Sequence, residues 1–203
     1  MEIILSLYLA GFILCGLLWR IYITWRRTGV NAVRLPAMRG AEGMTALLFV
    51  AATSGELIII FLYLTGWITL ETLIPIGQFM HPAIFALGGA LLIVTLAIIL
   101  LSQHQMGKSW RIGIDEKSHT ELVKTGIFRY SRNPIFLSMR ISFLALFLVM
   151  PSVATLVVML AGDLALRQQV RIEERYLAKK FGEAYMSYCR DTGRWLSLPS
   201  KRA

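Results

Sequence analysis

Three ionisable residues interrupt otherwise apolar stretches of this sequence: Glu56, Arg140 and Asp163. Charge inside a bilayer is costly and marks pairing or function. Arg140 and Asp163 fall at similar distances from the ends of one long apolar block, so they can pair at equal depth. Such a pair either ties helices together or lines a cavity, and Glu56 admits the same two readings. A second chemistry-bearing set is ordered along the chain. It begins with Leu122, Val123, Gly126 and Phe128, continues as Arg132-Asn133-Pro134 with Phe136, and resumes forty residues later at Glu173-Glu174. Phe181-Gly182, Tyr185, Tyr188 and Arg194-Trp195-Leu196 follow. The histidines (His81, His104 and His119) are scattered over both sides of a membrane topology, and a metal site needs two or more to converge. Cys15 and Cys189 match neither a metal motif nor a nucleophile motif, and their distance in the chain argues against a disulfide.

The elements that position these residues follow from composition. Of 203 residues, 56% are hydrophobic and only 16% charged, with a mean hydropathy of +0.62. Apolar blocks long enough to cross a bilayer indicate an all-α membrane protein of about five transmembrane helices in a single domain. Residues 1–101 carry three spans: Ile3 to Ile23, Met44 to Gly66 and Ala83 to Leu101. The first has no basic segment ahead of it and reads as a span rather than a cleaved leader. Residues 102–134 form a polar connection. Residues 135–166 are 32 residues of largely apolar sequence interrupted by Met150-Pro151-Ser152. As one helix they would measure about 48 Å, against a hydrocarbon core of about 30 Å, so the proline predicts a short helical hairpin. Residues 167–203 form cytoplasmic helices: one extends the last span to a break at Gly182, and a second, short and amphipathic, runs through Tyr185 and Tyr188.

The net charge of +9 is distributed unevenly. Five basic residues lie between Arg20 and Arg39, six between Lys108 and Arg132 and nine between Arg167 and Arg202, whereas the stretch from Trp67 to Pro82 has none. This positive-inside alternation places the N-terminus outside and the C-terminus in the cytoplasm. It also argues against nucleic acid as the partner, because no basic stripe is interleaved with stacking aromatics.

The ordered set resembles the isoprenylcysteine carboxyl methyltransferase and phospholipid methyltransferase family. The resemblance runs from Met106-Gly107-Lys108-Ser109-Trp110-Arg111, the Gly-x-x-Trp element of bacterial members, through the box at Arg132-Asn133-Pro134 to Leu196. It implies a bacterial inner-membrane enzyme that uses S-adenosylmethionine to methylate a lipophilic small molecule or lipid among the membrane lipids. It implies cofactor binding by Leu122, Val123, Gly126, Phe128, Arg132, Asn133, Pro134, Phe136 and Glu173. Leu122 and Val123 would flank adenine, Gly126 would let the backbone approach, and Arg132 would hold the carboxylate. Glu173 would accept from ribose or ammonium, and Phe128 or Phe136 would face the sulfonium.

Arg140, Gln169 and Glu174 fall where the acceptor would lie. Here the chain departs from the family. The box carries Asn133, which cannot act as a base near neutral pH, and Phe replaces Tyr at positions 128 and 136. Gln169 stands four residues before Glu173, where the eukaryotic carboxyl methyltransferase has a substrate-holding Arg. Two other classes remain open from sequence: a membrane reductase using NADPH, and a non-catalytic transporter or assembly protein. No Gly-rich strand-to-helix turn is present, which excludes the soluble dinucleotide-type methyltransferase architecture.

Overall fold

A computed structural model describes residues 1–29, 33, 40–112 and 121–197, with backbone alone at 40 and 41. His119, most of the first basic connection beyond Gly29 and the middle of the 102–134 connection lie outside the described residues.

The described chain is all-α. Helix α1 (Glu2–Thr28) is the first of four helices, among the described residues, long and apolar enough to cross a membrane. Its middle, Gly11–Trp19, winds as π-helix. Helix α2 (Gly40–Leu64) and helix α3 (Pro82–Met106) follow. Helix α4 (Pro134–Val149) is apolar but only 16 residues long. Helix α5 (Val153–Phe181) is the fourth long one, and α6 (Glu183–Asp191) closes the order. Helices cover the three spans expected in residues 1–101, each longer than its apolar core. The hairpin is present but unequal, because the arm after Pro151 continues into the polar sequence as one 29-residue helix.

The hairpin turn is well specified. Ser152 caps α5 reciprocally with Thr155, satisfying amide donors that would otherwise be bare. The connection between α2 and α3 reaches over to this turn. The Ile76 amide donates to the Pro151 carbonyl at 2.9 Å, and the Val153 amide donates to that of Ile74 at 2.9 Å. This one end of the bundle is therefore held by backbone hydrogen bonds and carries no basic residue from Trp67 to Pro82.

In the bundle, α3 packs along α4, α2 along α5, and α4 on α5. Small residues set the closest approaches, as expected where lipid offers no hydrophobic drive between helices. A methyl on Gly88 would lie 2.9 Å from the Ala145 carbonyl, and one on Gly162 would enter the Phe143 ring. Glu56 is fully buried and receives the Tyr8 hydroxyl at 3.2 Å. It joins α2 to α1, the packing role among its two sequence readings. The Arg140–Asp163 pair also forms, at 2.5 Å, with Arg167 on the second carboxylate oxygen at 2.7 Å.

Candidate functional site

At the other end of the bundle, the motif residues meet around α5. Pro134 occupies the first turn of α4, where a missing N–H costs nothing. Asn133 and Arg132 thereby sit at the mouth of the hairpin, beside the polar half of α5. Glu174 is their common acceptor. Its Oε1 receives Arg132 Nε (3.1 Å) and Nη2 (3.0 Å) together with Asn133 Nδ2 (3.1 Å). Its Oε2 receives Arg194 Nε at 2.8 Å. One carboxylate thus collects donors from three separate positions in the chain, most of them the strong charge-assisted kind.

The remaining donors of Arg132 are committed as well. Its Nη1 donates to the carbonyls of Cys189 (3.2 Å) and Thr192 (2.6 Å), which the end of α6 would otherwise leave bare. Asn133 Nδ2 also reaches the Arg194 carbonyl at 3.2 Å. Tyr188 donates to the Phe128 carbonyl at 2.6 Å. Residues 192–197 lie across the box as a strap, with the Arg132 amide donating to the Gly193 carbonyl and the Ser197 amide to that of Tyr130. Trp195 completes it by stacking on the Arg140 guanidinium, 4.3 Å from its ring centroid.

Glu173, one residue earlier, points about 100° away around the helix. Among the described residues it receives one long hydrogen bond, 3.4 Å from Gln169 Nε2. The residue as a whole is half-buried, and its carboxylate has lone pairs to spare.

The connection leading to the box is shaped by Gly126. Its φ is +62°, and a Cβ there would overlap the Gln105 side chain. Gln105, at the end of α3, accepts from the Ile127 amide at 2.8 Å. The close approach expected at Gly126 is therefore made by a protein side chain. Leu122 and Val123 are half-buried in the irregular segment before this turn. Phe128 is buried, while Phe136 packs edge-on against Phe49 at 6.1 Å within the bundle.

The structure thus brings Arg132, Asn133 and Glu174 together and pairs Gln169 with Glu173. Arg140 sits apart with Asp163, Arg167 and Trp195. Sequence reasoning counted Arg194 and Trp195 in the ordered set without assigning their partners, and it missed Gln105. Tyr185 and Tyr188 stand on α6, the short amphipathic segment expected there, and the structure packs it on the box. Burial pushes both phenols well above their ordinary value, with the Glu174 carboxylate adding to the effect at Tyr185.

A ring of guanidinium, amide and carboxylate groups at the end of an apolar hairpin can hold a polar ligand against a lipophilic one. No curated protein matches the chain in sequence. A family model described as phospholipid methyltransferase matches residues 83–184, from the start of α3 through α4 and α5 into α6. That match takes in half of the chain, including the box, the Glu173-Glu174 pair and the hairpin that joins them. The chain belongs to the phospholipid methyltransferase family, one of the isoprenylcysteine carboxyl methyltransferase-like membrane methyltransferases.

Proposed function

We propose that this protein transfers a methyl group from S-adenosylmethionine to a lipophilic acceptor at the cytoplasmic face of the membrane, with its N-terminus outside and its C-terminus in the cytoplasm. The observation that carries the reading is the convergence of the box and the Glu173-Glu174 pair at the end of α5, forty residues apart in sequence and joined at Glu174.

The residues present fit the cofactor. Glu173 has acceptor capacity left over, and Gln169 holds it from one side. When bound, S-adenosylmethionine supplies an electrophilic methyl group on a sulfonium. Glu173 accepts hydrogen bonds from the ribose or ammonium. Leu122 and Val123 supply apolar surface, and Phe128 or Phe136 aromatic surface. Gly126 allows the connection to turn closely above the end of α3. Arg132 and Asn133 act by fixing the wall against which the ligand lies, because their donors are taken up by Glu174 and by carbonyls. Pro134 sets the start of that wall.

An in-line methyl displacement gains most from alignment and exclusion of water, which the strap over the box provides. Asn133 takes no proton. A thiolate acceptor needs no base, while an amine leaves Glu173 as the nearest carboxylate with free acceptor capacity.

The acceptor is neutral or self-activated: an amine, a thiol or a lipid headgroup. Holding a substrate carboxylate calls for a charged partner. Gln169 is neutral and committed to Glu173, and Arg140 is committed to Asp163 and Trp195.

Calorimetric titration of the detergent-solubilised protein with S-adenosylhomocysteine and NADPH tests the cofactor. S-adenosylhomocysteine is expected to bind and NADPH not. Binding of NADPH alone would favour a reductase, and binding of neither would remove the reading.

A further inference from the structure

Arg20 is a cation that the methyl-transfer reading leaves unused. It lies toward the C-terminal end of α1, and only 8% of it is exposed. Its Nη2 donates to the Gly107 carbonyl at 2.5 Å, and its guanidinium lies over the Trp110 ring, 5.4 Å from the centroid. Among the described residues no carboxylate pairs with it, and its buried Nε has no hydrogen-bond partner. Burying a cation without a counter-charge is costly, and an ionisable group kept within a membrane helix marks a functional contact.

Arg20 is one of two rungs between α1 and the end of α3. One turn earlier, the Gly16 carbonyl, in the π-helical segment, receives Gln103 Nε2 at 2.9 Å. Gly16 and Arg20 are four residues apart on α1, and Gln103 and Gly107 are four apart at the end of α3, so each pair lies along one helix face. Gly107 ends α3 at a φ of +54°, a left-handed value that suits glycine, and Trp110 after it is 4% exposed. The Gly-x-x-Trp spacing thus offers a carbonyl and an aromatic face to a single guanidinium.

The end of α3 in turn holds the segment that precedes the box. In the turn Gly107–Ser109, the Ser109 hydroxyl oxygen accepts from the Glu121 amide at 3.1 Å. Gln105 accepts from the Ile127 amide at 2.8 Å. Leu122, Val123 and Gly126 lie between these two anchors, so a shift of the α3 end moves both ends of that segment together.

We propose that Arg20 is a positioning residue for methyl transfer: by holding the Gly107 carbonyl and the Trp110 ring, it fixes residues 121–127 in place for the cofactor. The inference rests on the cofactor reading above. Arg20 acts through Gly107, Ser109 and Gln105, without touching the cofactor itself.

The test uses the full chain in detergent and reads hydrogen exchange over residues 121–127, together with calorimetric titration of S-adenosylhomocysteine. Arg20→Gln should speed exchange at the Glu121 and Ile127 amides and weaken S-adenosylhomocysteine by about threefold to tenfold. Exchange across the hairpin turn at 150–156 should stay as in wild type. Arg20→Lys keeps a donor for the Gly107 carbonyl and should restore part of the slow exchange. Arg26→Gln, on the exposed side of the same helix, should change neither readout. Gln103→Met removes the other rung and should act in the same direction as Arg20→Gln, which provides the test if Arg20→Gln does not fold. Unchanged exchange over 121–127, exchange raised equally along the whole chain, no recovery in Arg20→Lys, or undiminished affinity despite faster exchange overturns the proposal. A wild type that does not bind S-adenosylhomocysteine contradicts the cofactor reading instead, and the ligand-free exchange still decides whether Arg20 holds the segment.

Discussion

Glu173 and Glu174 are adjacent carboxyl residues on one helix, yet their surroundings have little in common. Glu174 is ringed by Arg132, Asn133 and Arg194. Glu173 has Gln169 at 3.4 Å as its hydrogen-bond partner among the described residues. The 100° step between successive helical residues is what separates them. One carboxylate knits the hairpin mouth to the C-terminal strap. The other is held in place without being used up, which is the condition a ligand-binding group must meet.

The largest expected effect comes from breaking the occupied side. Glu174→Gln leaves Arg132, whose side chain is 12% exposed, without its counter-charge, and removing one partner of such a pair costs about 3–5 kcal/mol. Thermal unfolding in detergent should show a large loss, shared by Arg132→Gln. A Glu174→Gln protein as stable as wild type would mean that the cluster is not architectural.

Next is the hairpin that carries both carboxylates. Gly162→Ala pushes a methyl into the Phe143 ring, and overpacking of this kind costs about 1–3 kcal/mol. Pairing it with Phe143→Leu should recover part of the loss. Absence of recovery would show that Phe143 is not the obstacle.

The acceptor prediction concerns the Glu173 side. Farnesylcysteine analogues should be methylated slowly, and Gln169→Arg should improve their use by supplying the missing cation. Efficient wild-type turnover abolished by Arg140→Ala would show instead that Arg140 leaves Asp163 to clamp the carboxylate.

The smallest effect is a pH dependence on the Glu174 side. The Tyr185 and Tyr188 phenols are raised above the ordinary value of about 10. The folded state therefore binds more protons than the unfolded state above that pH. Their contribution is fully present below about pH 10 and is lost as pH rises further. Unfolding scans should show stability falling above about pH 10, and Tyr185→Phe should make the fall shallower. An identical profile in the variant would exclude Tyr185 as a source.

Span positions were legible because an uncharged apolar block some twenty residues long can satisfy its backbone and hide its side chains by crossing a bilayer as a helix, and Pro151 announced the hairpin. The end of α5 was legible too: the apolar residues from Val170 to Phe181 recur at near-helical spacing, so the sequence predicts that the last span continues as a helix to the break at Gly182, and it does. At the site, the residue types were readable from the ordered motifs, but their pairing was not. Arg132 carries five donors, and sequence cannot say that Glu174 and two carbonyls at the end of α6 take them. Gln105 gave no signal, since its partner is the backbone of a turn 22 residues away. The link between the α2–α3 connection and the hairpin turn was equally hidden, being made of backbone groups at Ile74 and Ile76 that any sequence possesses.

The division of labour between the two carboxylates is tested most directly by titrating S-adenosylhomocysteine into wild type and Glu173→Gln while recording the thermal stability of both. Glu173→Gln should keep its unfolding temperature and lose about 1.5–3 kcal/mol of binding, the worth of a hydrogen bond to a charged group. Equal affinity in the two proteins, or a Glu173→Gln variant that loses stability as Glu174→Gln does, would contradict the account.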